Sequence, residues 1–427
     1  MIAVTLIVLF SLLLLSVPVA AVLGLSAVIL SELFAFIPAT RGIGTVTWQS
    51  MNDGLLIAVP LFVLMGELLL RSGVASRMYN ALSGWLGWLP GGLMHANIGT
   101  STLFAATSGS SVATAATVAT TAIPEIKRHN YNEPLFLGSI AASGTLGILI
   151  PPSINLIIFG ALTNTSIPAL YLAGFIPGLG LAVLFSMAVL VACKIRPEWG
   201  GERISATWRE RIGGLPHLLP PLFIFFLVVG TIYAGWATPT EAAALGVLGA
   251  IIVAAFARAL TLSAIRAAFF GTIRTTGMLI AIVSAAYFLN FVFGNIGLTS
   301  SVTDAFQNLS LSPYGTLFLV IAFYLVLGLF LETLSLMVAT VSIFTPVLVS
   351  QGFDPVWFGI LVILLIETAM ITPPVGINLF VVQGVRGRGS LNDVVKGVVP
   401  FLGSLFVGII LIILFPQIVL FLPEILR

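Results

Sequence analysis

From Ala169 to Cys193 the sequence runs 25 residues without a charge, and stretches of the same character recur from Ile2 to Phe421. A helix needs about 20 apolar residues to cross the hydrocarbon core of a bilayer, and in lipid it satisfies its backbone N–H and C=O groups internally. The recurrence therefore predicts a polytopic membrane protein. Composition agrees where it bears on this: 59% of the 427 residues are hydrophobic and only 7% are charged, too few charges to cover a water-soluble surface of this size.

The remaining totals exclude other classes. Net charge is +2 and the 17 Lys and Arg fall in a few clusters. That leaves no continuous basic face for a phosphate backbone, so nucleic acid is not expected as a partner. Cys193 stands alone, which rules out an internal disulfide or thiolate cage and predicts a packed thiol. His95, His129 and His217 follow no metal-ligand spacing. The N-terminus lacks a basic n-region and stays apolar beyond a signal peptide's length, so it reads as retained helix.

Spans are expected near 2–17, 19–36 and 54–70. An amphipathic segment with Arg71, Arg77, Trp85 and Trp88 follows, suited to a helix lying in the interface. Residues 91–127 hold two apolar pieces around Thr107–Ser111. Each piece is too short to cross alone, which predicts a re-entrant hairpin with its tip near mid-membrane. A span over 133–162 is interrupted at 150–155 by IPPSIN, and 169–193 is continuous. The second half repeats this order. Spans near 216–235, 239–257 and 276–296 precede a hairpin at 313–347, an interrupted span at 355–385 containing TPPVGIN, and a last span at 396–421.

One offset relates the halves. Pro124 and Pro346, Pro151-Pro152 and Pro373-Pro374, and Leu23-Gly24 and Leu245-Gly246 all lie 222 positions apart, and one extra residue then brings Asn155 onto Asn378. Agreement at sites spread so widely marks an internal duplication. Charge orients the copies. Lys127 and Arg128 after the first hairpin, and the basic residues of the loop 194–211, mark cytoplasmic turns. The counterpart of the first turn, 348–355, has no Lys or Arg, whereas the uncharged 163–166 is matched by a segment with Arg386 and Arg388. Each half makes an odd number of crossings plus a hairpin, which inverts the second copy. The expected fold is all-α, with two inverted-topology repeats that each carry a re-entrant hairpin and an interrupted helix. In this topology the turn Ser16–Pro18 is cytoplasmic although it has no basic residue.

Unwound backbone in hydrocarbon leaves N–H and C=O groups that each cost several kcal/mol unless something binds them. Matching breaks in inverted halves therefore read as a binding site. Carbonyls ending one half-helix hold cations, and the positive N-terminus of the next holds an anion. Candidate carbonyl ligands are Gly147, Ile150 and Pro152 in the first copy and Ala369, Thr372 and Pro374 in the second. The tips Thr107–Ser111 and Gly328–Thr333 add hydroxyl and carbonyl oxygens. A neutral all-oxygen set suits Na⁺ better than a transition metal. Asn155 and Asn378 can offer amides to a polar substrate. Glu332 and Glu367 lie at membrane depth, where a charge costs roughly 2.5–3.5 kcal/mol or more. They read equally as functional groups or as braces of the second hairpin. Glu67, four residues before Arg71, is expected to form an ion pair, and His95 to be a satisfied interface histidine.

The stretches SGSSVATAAT at 108–117, SGTLGILIPPSIN at 143–155 and IETAMITPPVGINLFVV at 366–382 resemble the large membrane subunit of tripartite ATP-independent periplasmic (TRAP) transporters. The resemblance covers essentially the whole chain. It implies an elevator-type secondary transporter, not an enzyme, that uses Na⁺ to take up an organic acid, sialic acid or a C4-dicarboxylate, across the bacterial inner membrane. It also implies two partners, a small four-helix membrane subunit on a separate chain and a periplasmic substrate-binding protein. By motif, one sodium site falls on Ser108, Gly147, Ile150 and Pro152, and the other on Gly328, Ala369, Thr372 and Pro374. Substrate falls between them at Ser110, Ser153, Asn155, Gly376 and Asn378. The family usually has Gly where this chain has Ala369. The implied organisation is scaffold and arm over 1–90, transport domain over 91–165 and 310–390, scaffold over 166–275, a connecting helix over 276–309 and a C-terminal scaffold helix over 391–427.

Three other readings stand beside it. A Na⁺/carboxylate symporter that needs no binding protein shares every feature above. An intramembrane serine hydrolase built on SGSS lacks a positioned base, and a channel would need a continuous polar pore, which re-entrant hairpins oppose.

Overall fold

The computed structural model describes every residue but Ser16, Ile37, Leu309, Ser310 and Arg427, and every side chain but theirs and those of Thr40, Gln307 and Asn308. The cytoplasmic placement of the Ser16 turn and the domain boundary at 309–310 thus fall on positions outside the described residues. The first repeat contains α1 (Ile2–Leu14), α2 (Val19–Phe34), α3 (Ile43–Met51), α4 (Ala58–Arg71), α5 (Val74–Leu86), α6 (Leu93–Ser108), α7 (Ser111–Arg128), α8 (Glu133–Thr145), α9 (Ile154–Thr163) and α10 (Ile167–Ile195). The second contains α11 (Trp208–Tyr233), α12 (Pro239–Phe256), α13 (Leu262–Asn295), α14 (Leu298–Asn308), α15 (Pro313–Gly328), α16 (Thr333–Ser350), α17 (Pro355–Met370), α18 (Ile377–Arg386), α19 (Leu391–Leu414) and α20 (Gln417–Ile425).

The duplication is visible in where helices start. α7 and α16 both begin and end 222 positions apart, as do the starts of α8 and α17. The caps correspond too. Asn132 Oδ1 accepts the Leu135 N–H at 3.1 Å, and its counterpart Asp354 accepts Val356 and Trp357 N–H at 2.7 and 3.1 Å. The two copies interlock through α8 and α19, where Gly138 and Gly397 bring backbone against backbone. A side chain on either would strike the other helix.

Among the described residues six helices, α10, α11, α12, α13, α16 and α19, are long and apolar enough to span a membrane alone. The other expected crossings are assembled from shorter pieces, among them α4 and α5, which meet at a 64° bend. α16 is a hairpin limb despite its length. Along α17 every residue from Val356 to Met370 is buried, whereas α10 and α19 expose Val183, Met187, Val399 and Val407. α17 is therefore central and its flanking helices are peripheral.

Three details differ from the sequence reading. α3 forms where a connection was expected, and its counterpart is fused into α13, a single helix of 34 residues that starts well before 276. The first copy breaks at Asn52-Asp53-Gly54, where Asp53 Oδ1 accepts the Leu55 N–H at 2.9 Å and turns the chain. α14 is the counterpart of the amphipathic arm α5 and lies outside the predicted spans. The last span stops at Leu414, and Pro416 starts the separate α20.

Candidate functional site

Each hairpin tip packs against a helix break of its own repeat. In the first, α6 ends at Ser108, Gly109 turns with φ +58°, and the Ser110 hydroxyl accepts the Ala113 N–H at 3.4 Å to start α7. The Thr114 hydroxyl, one turn on, donates to the Ser110 carbonyl at 2.8 Å and lies 2.8 Å from Ser108 Oγ. Below the tip, α8 ends in a tight turn at Leu146–Ile148, the prolines 151 and 152 supply no N–H, and Ser153 caps α9 while its hydroxyl donates to the Ile148 carbonyl at 2.5 Å. Two glycines join tip to break. A Cβ at Gly147 would stand 2.6 Å from the Ser110 carbonyl oxygen, and one at Gly109 would stand 3.0 Å from the Pro152 oxygen.

The second copy keeps the plan and changes its chemistry. Four residues, 329–332, link α15 to α16, and Glu332 replaces serine as the cap, its Oε2 accepting from Ser335 N–H and hydroxyl at 3.2 and 2.9 Å. Beneath it α17 ends at Met370, and Gly376, φ +28°, restarts the chain with its Cα against the Thr372 carbonyl. The Ala369 methyl fills the space over Gly328, where a Cβ would come within 2.6 Å.

Both tips open on one cavity of about 310 Å³. Its walls include Ser108, Ser110, Asn155, Glu332 and Thr333, faced by Gly66 and Glu67 of α4 and Thr275 of α13. Four helix N-termini reach it, those of α7, α9, α16 and α18, represented by Ser111, Ile154, Thr333 and Ile377. Each carries roughly half a positive charge, a source of positive potential in a cavity that no Lys, Arg or His lines among the described residues. Of its two carboxylates, Glu67 is paired with Arg71 at 2.8 Å as expected, and Glu332 is engaged by the α16 N-terminus. A second cavity of about 220 Å³, between α1, α2, α14 and the second hairpin, is lined almost wholly by side chains such as Leu9, Leu23 and Phe323 and offers a polar solute little.

Of the residues expected to touch substrate, Ser110 and Asn155 line the cavity, and the Asn155 Nδ2 has no partner. Ser153 and Gly376 lie behind it as caps of α9 and α18. Asn378 is buried, its Nδ2 donating to Ser111 Oγ at 2.8 Å and to the Ala141 carbonyl at 3.0 Å. Among the expected cation ligands, Gly147, Ile150 and Pro152 are buried under the first tip with Ser108, while in the second copy Gly328 meets Ala369, Thr372 is half-buried and Pro374 is exposed. Glu367 is fully buried, and neither of its oxygens has a hydrogen-bond partner among the described residues. His95 is satisfied, as expected, and buried, its ring nitrogens bound to Ser186 Oγ at 2.5 Å and the Pro90 carbonyl at 2.9 Å. Cys193 is buried too. Sequence reasoning missed Thr114, whose signal is a hydroxyl one helical turn after the tip, and gave the expected helix at 276–296, now α13, no contact with the hairpins or breaks. From that helix Tyr287 Oη reaches the Ala161 carbonyl at 3.1 Å, and Asn290 Nδ2 donates to Ser342 Oγ at 2.7 Å.

Residues 6–418 match the family described as the DctM component of the tripartite ATP-independent periplasmic transporter. The chain belongs to this family. Its relatives include the C4-dicarboxylate TRAP transporter large permease protein DctM of Pseudomonas aeruginosa, 33% identical with 94% of this chain and 93% of that protein covered. The sialic acid TRAP transporter large permease protein SiaM of Vibrio cholerae is 33% identical over 94% of each. The ectoine TRAP transporter large permease protein TeaC of Halomonas elongata is 32% identical over 86% of each. Among solved structures, the YdaH transporter of Alcanivorax borkumensis superposes with a TM-score of 0.58 at 14% identity, covering 93% of this chain and 96% of that one, a likeness of fold. This TRAP large permease is a multi-pass membrane transporter subunit, not an enzyme, and SGSS is a hairpin tip instead of a hydrolase motif.

Proposed function

We propose that this permease carries out sodium-coupled uptake of an organic acid by an elevator movement of its hairpins and interrupted helices, 91–165 and 310–390, against the flanking scaffold. The observation that carries the reading is the convergence of two tips, two breaks and four helix N-termini on one cavity. Helix ends favour the substrate's carboxylate. The neutral oxygens of Ser108, Ser110 and Thr114, gathered over Gly147, match what Na⁺ accepts, and the second break, reached by the same 222-residue offset, is the counterpart site. Among the described residues no cluster of His, Cys, Asp and Glu could hold a transition metal. Sodium at each break ties tip to half-helix and completes the walls of the substrate site.

The chain works in the bacterial inner membrane with a small four-helix subunit and a periplasmic protein that delivers the acid. Relatives named for sialic acid, C4-dicarboxylates and ectoine fit a site that recognises a carboxylate through helix ends. Uptake into proteoliposomes holding both membrane subunits, with the binding protein outside, is expected to need an inward sodium gradient. Uptake of equal rate without the gradient sinks the coupling, and uptake without the binding protein favours the simpler symporter.

A further inference from the structure

Outside the cavity and the two breaks, one turn of α8 is surrounded by oxygens that lack partners. Glu367 and Thr145 are 222 positions apart, so they are equivalent residues of the two repeats, and the Glu367 carboxyl lies against the Thr145 side chain. Equivalent residues that meet mark the internal two-fold axis. The Thr145 hydroxyl donates to the Ala142 carbonyl at 2.8 Å, and with its proton on that carbonyl it offers Glu367 lone pairs. One turn earlier, Asn378 donates to the Ala141 carbonyl at 3.0 Å. A carbonyl accepts only, which fixes the amide orientation and leaves Asn378 Oδ1 buried and unpartnered. The Ala141–Thr145 turn thus has beside it the buried Glu367 Oε1 and Oε2, near Thr145, and Asn378 Oδ1, near Ala141, all acceptors without a hydrogen-bond partner among the described residues. Natural interiors rarely leave such groups unpaired.

We propose that this turn is a third cation site, on the internal two-fold axis, for a hard monovalent ion of the Na⁺ class, with the Glu367 carboxylate as its charged ligand. All-oxygen ligation selects a hard cation over a transition metal. One carboxylate neutralises one positive charge, whereas a divalent ion would leave a net charge in an apolar interior at high cost. A proton on Glu367 would satisfy one oxygen and leave Asn378 Oδ1 as it is. The site differs from the break sites in kind, because it carries charge and exists once rather than twice.

The test is sodium-dependent thermal stabilisation of the full-length chain purified with its small subunit, titrated with NaCl against choline chloride at constant ionic strength. Glu367→Gln keeps the shape and removes the charge. The expected result is a midpoint for Na⁺ raised about tenfold or more and a shallower titration, with Glu367→Asp intermediate. A Gln variant that titrates like the parent overturns the proposal, because the carboxyl is then a neutral brace. If the Gln variant does not fold, Thr145→Val decides: a raised midpoint supports the site and an unchanged one overturns it. A parent protein indifferent to Na⁺ sinks this site together with the sodium-coupled reading, whereas a parent response that survives Glu367→Gln sinks this site alone.

Discussion

The two tip-and-break units descend from one sequence and differ in how they are closed. The first is sealed, with every residue from Leu149 to Ile158 buried. α10 lies across it, with Gly174 against the Leu149 carbonyl and Gly178 against the Ile150 side chain. The second is open, with Pro373 and Pro374 exposed. The counterpart of α10 is α19, whose Gly397 is spent on α8 instead. The two helices thus use their glycines differently, α10 on the first break and α19 on α8. The sealed unit is shielded by its own repeat, and the open one leaves its prolines accessible.

The sharpest way to break this contrast is to fill the glycines. Gly147→Ala drives a methyl into the Ser110 carbonyl, which cannot yield, and an overpacking cost of about 1–3 kcal/mol is expected to fall on sodium-dependent uptake as a loss of roughly tenfold or more. Gly328→Ala meets the Ala369 methyl instead, so Gly328→Ala with Ala369→Gly should regain most of what the single variant loses. Uptake that Gly147→Ala leaves intact would show that the first unit is not tightly joined. Next in size is accessibility. In a Cys193→Ala background, cysteine at Pro374 should react with a membrane-impermeant maleimide much faster than cysteine at Pro152, and equal rates would remove the distinction. A smaller effect is expected from Glu332→Ser, which gives the second tip the cap of the first. It keeps the α16 cap and removes a carboxylate from the cavity, so a changed preference between neutral and anionic substrates would be read in competition uptake. Smallest are the matched caps. Asp354→Ala should cost about 1 kcal/mol or somewhat more and Asn132→Ala less, because Asp354 accepts two N–H groups and Asn132 one; thermal melting in detergent would order them.

Much of this was legible in the chain itself. A proline pair within an apolar stretch that lies next to a polar hairpin tip marks a break, so Pro151-Pro152 and Pro373-Pro374 located both, whereas Pro220-Pro221 sits within α11 without breaking it; the polar run Thr107–Ser111 between two short apolar pieces located a tip. What escaped was set by packing. Nothing local in Ile43–Met51 distinguishes a separate short helix from the start of a long one, since its counterpart runs on unbroken through α13. The meeting of Glu367 with Thr145 follows from the axis, and residues related by an axis touch only if they lie on it, which spacing alone does not say. Nor could the sequence tell which break α10 would cover.

Tyr287 and Asn290 stand one helical turn apart on α13, and they hold α9 and α16, one helix from each copy. Any slide of those helices along α13 must release both bonds at once. In the elevator movement proposed above they would act as a detent, a notch that favours the posture seen here. At about 0.5–1.5 kcal/mol for each hydrogen bond, the notch is worth a factor of about 5 to 150 in occupancy. A carrier that stops too firmly turns over slowly, and one that never stops leaks, so the depth of this notch is a timing element that the chain can tune by a single hydroxyl.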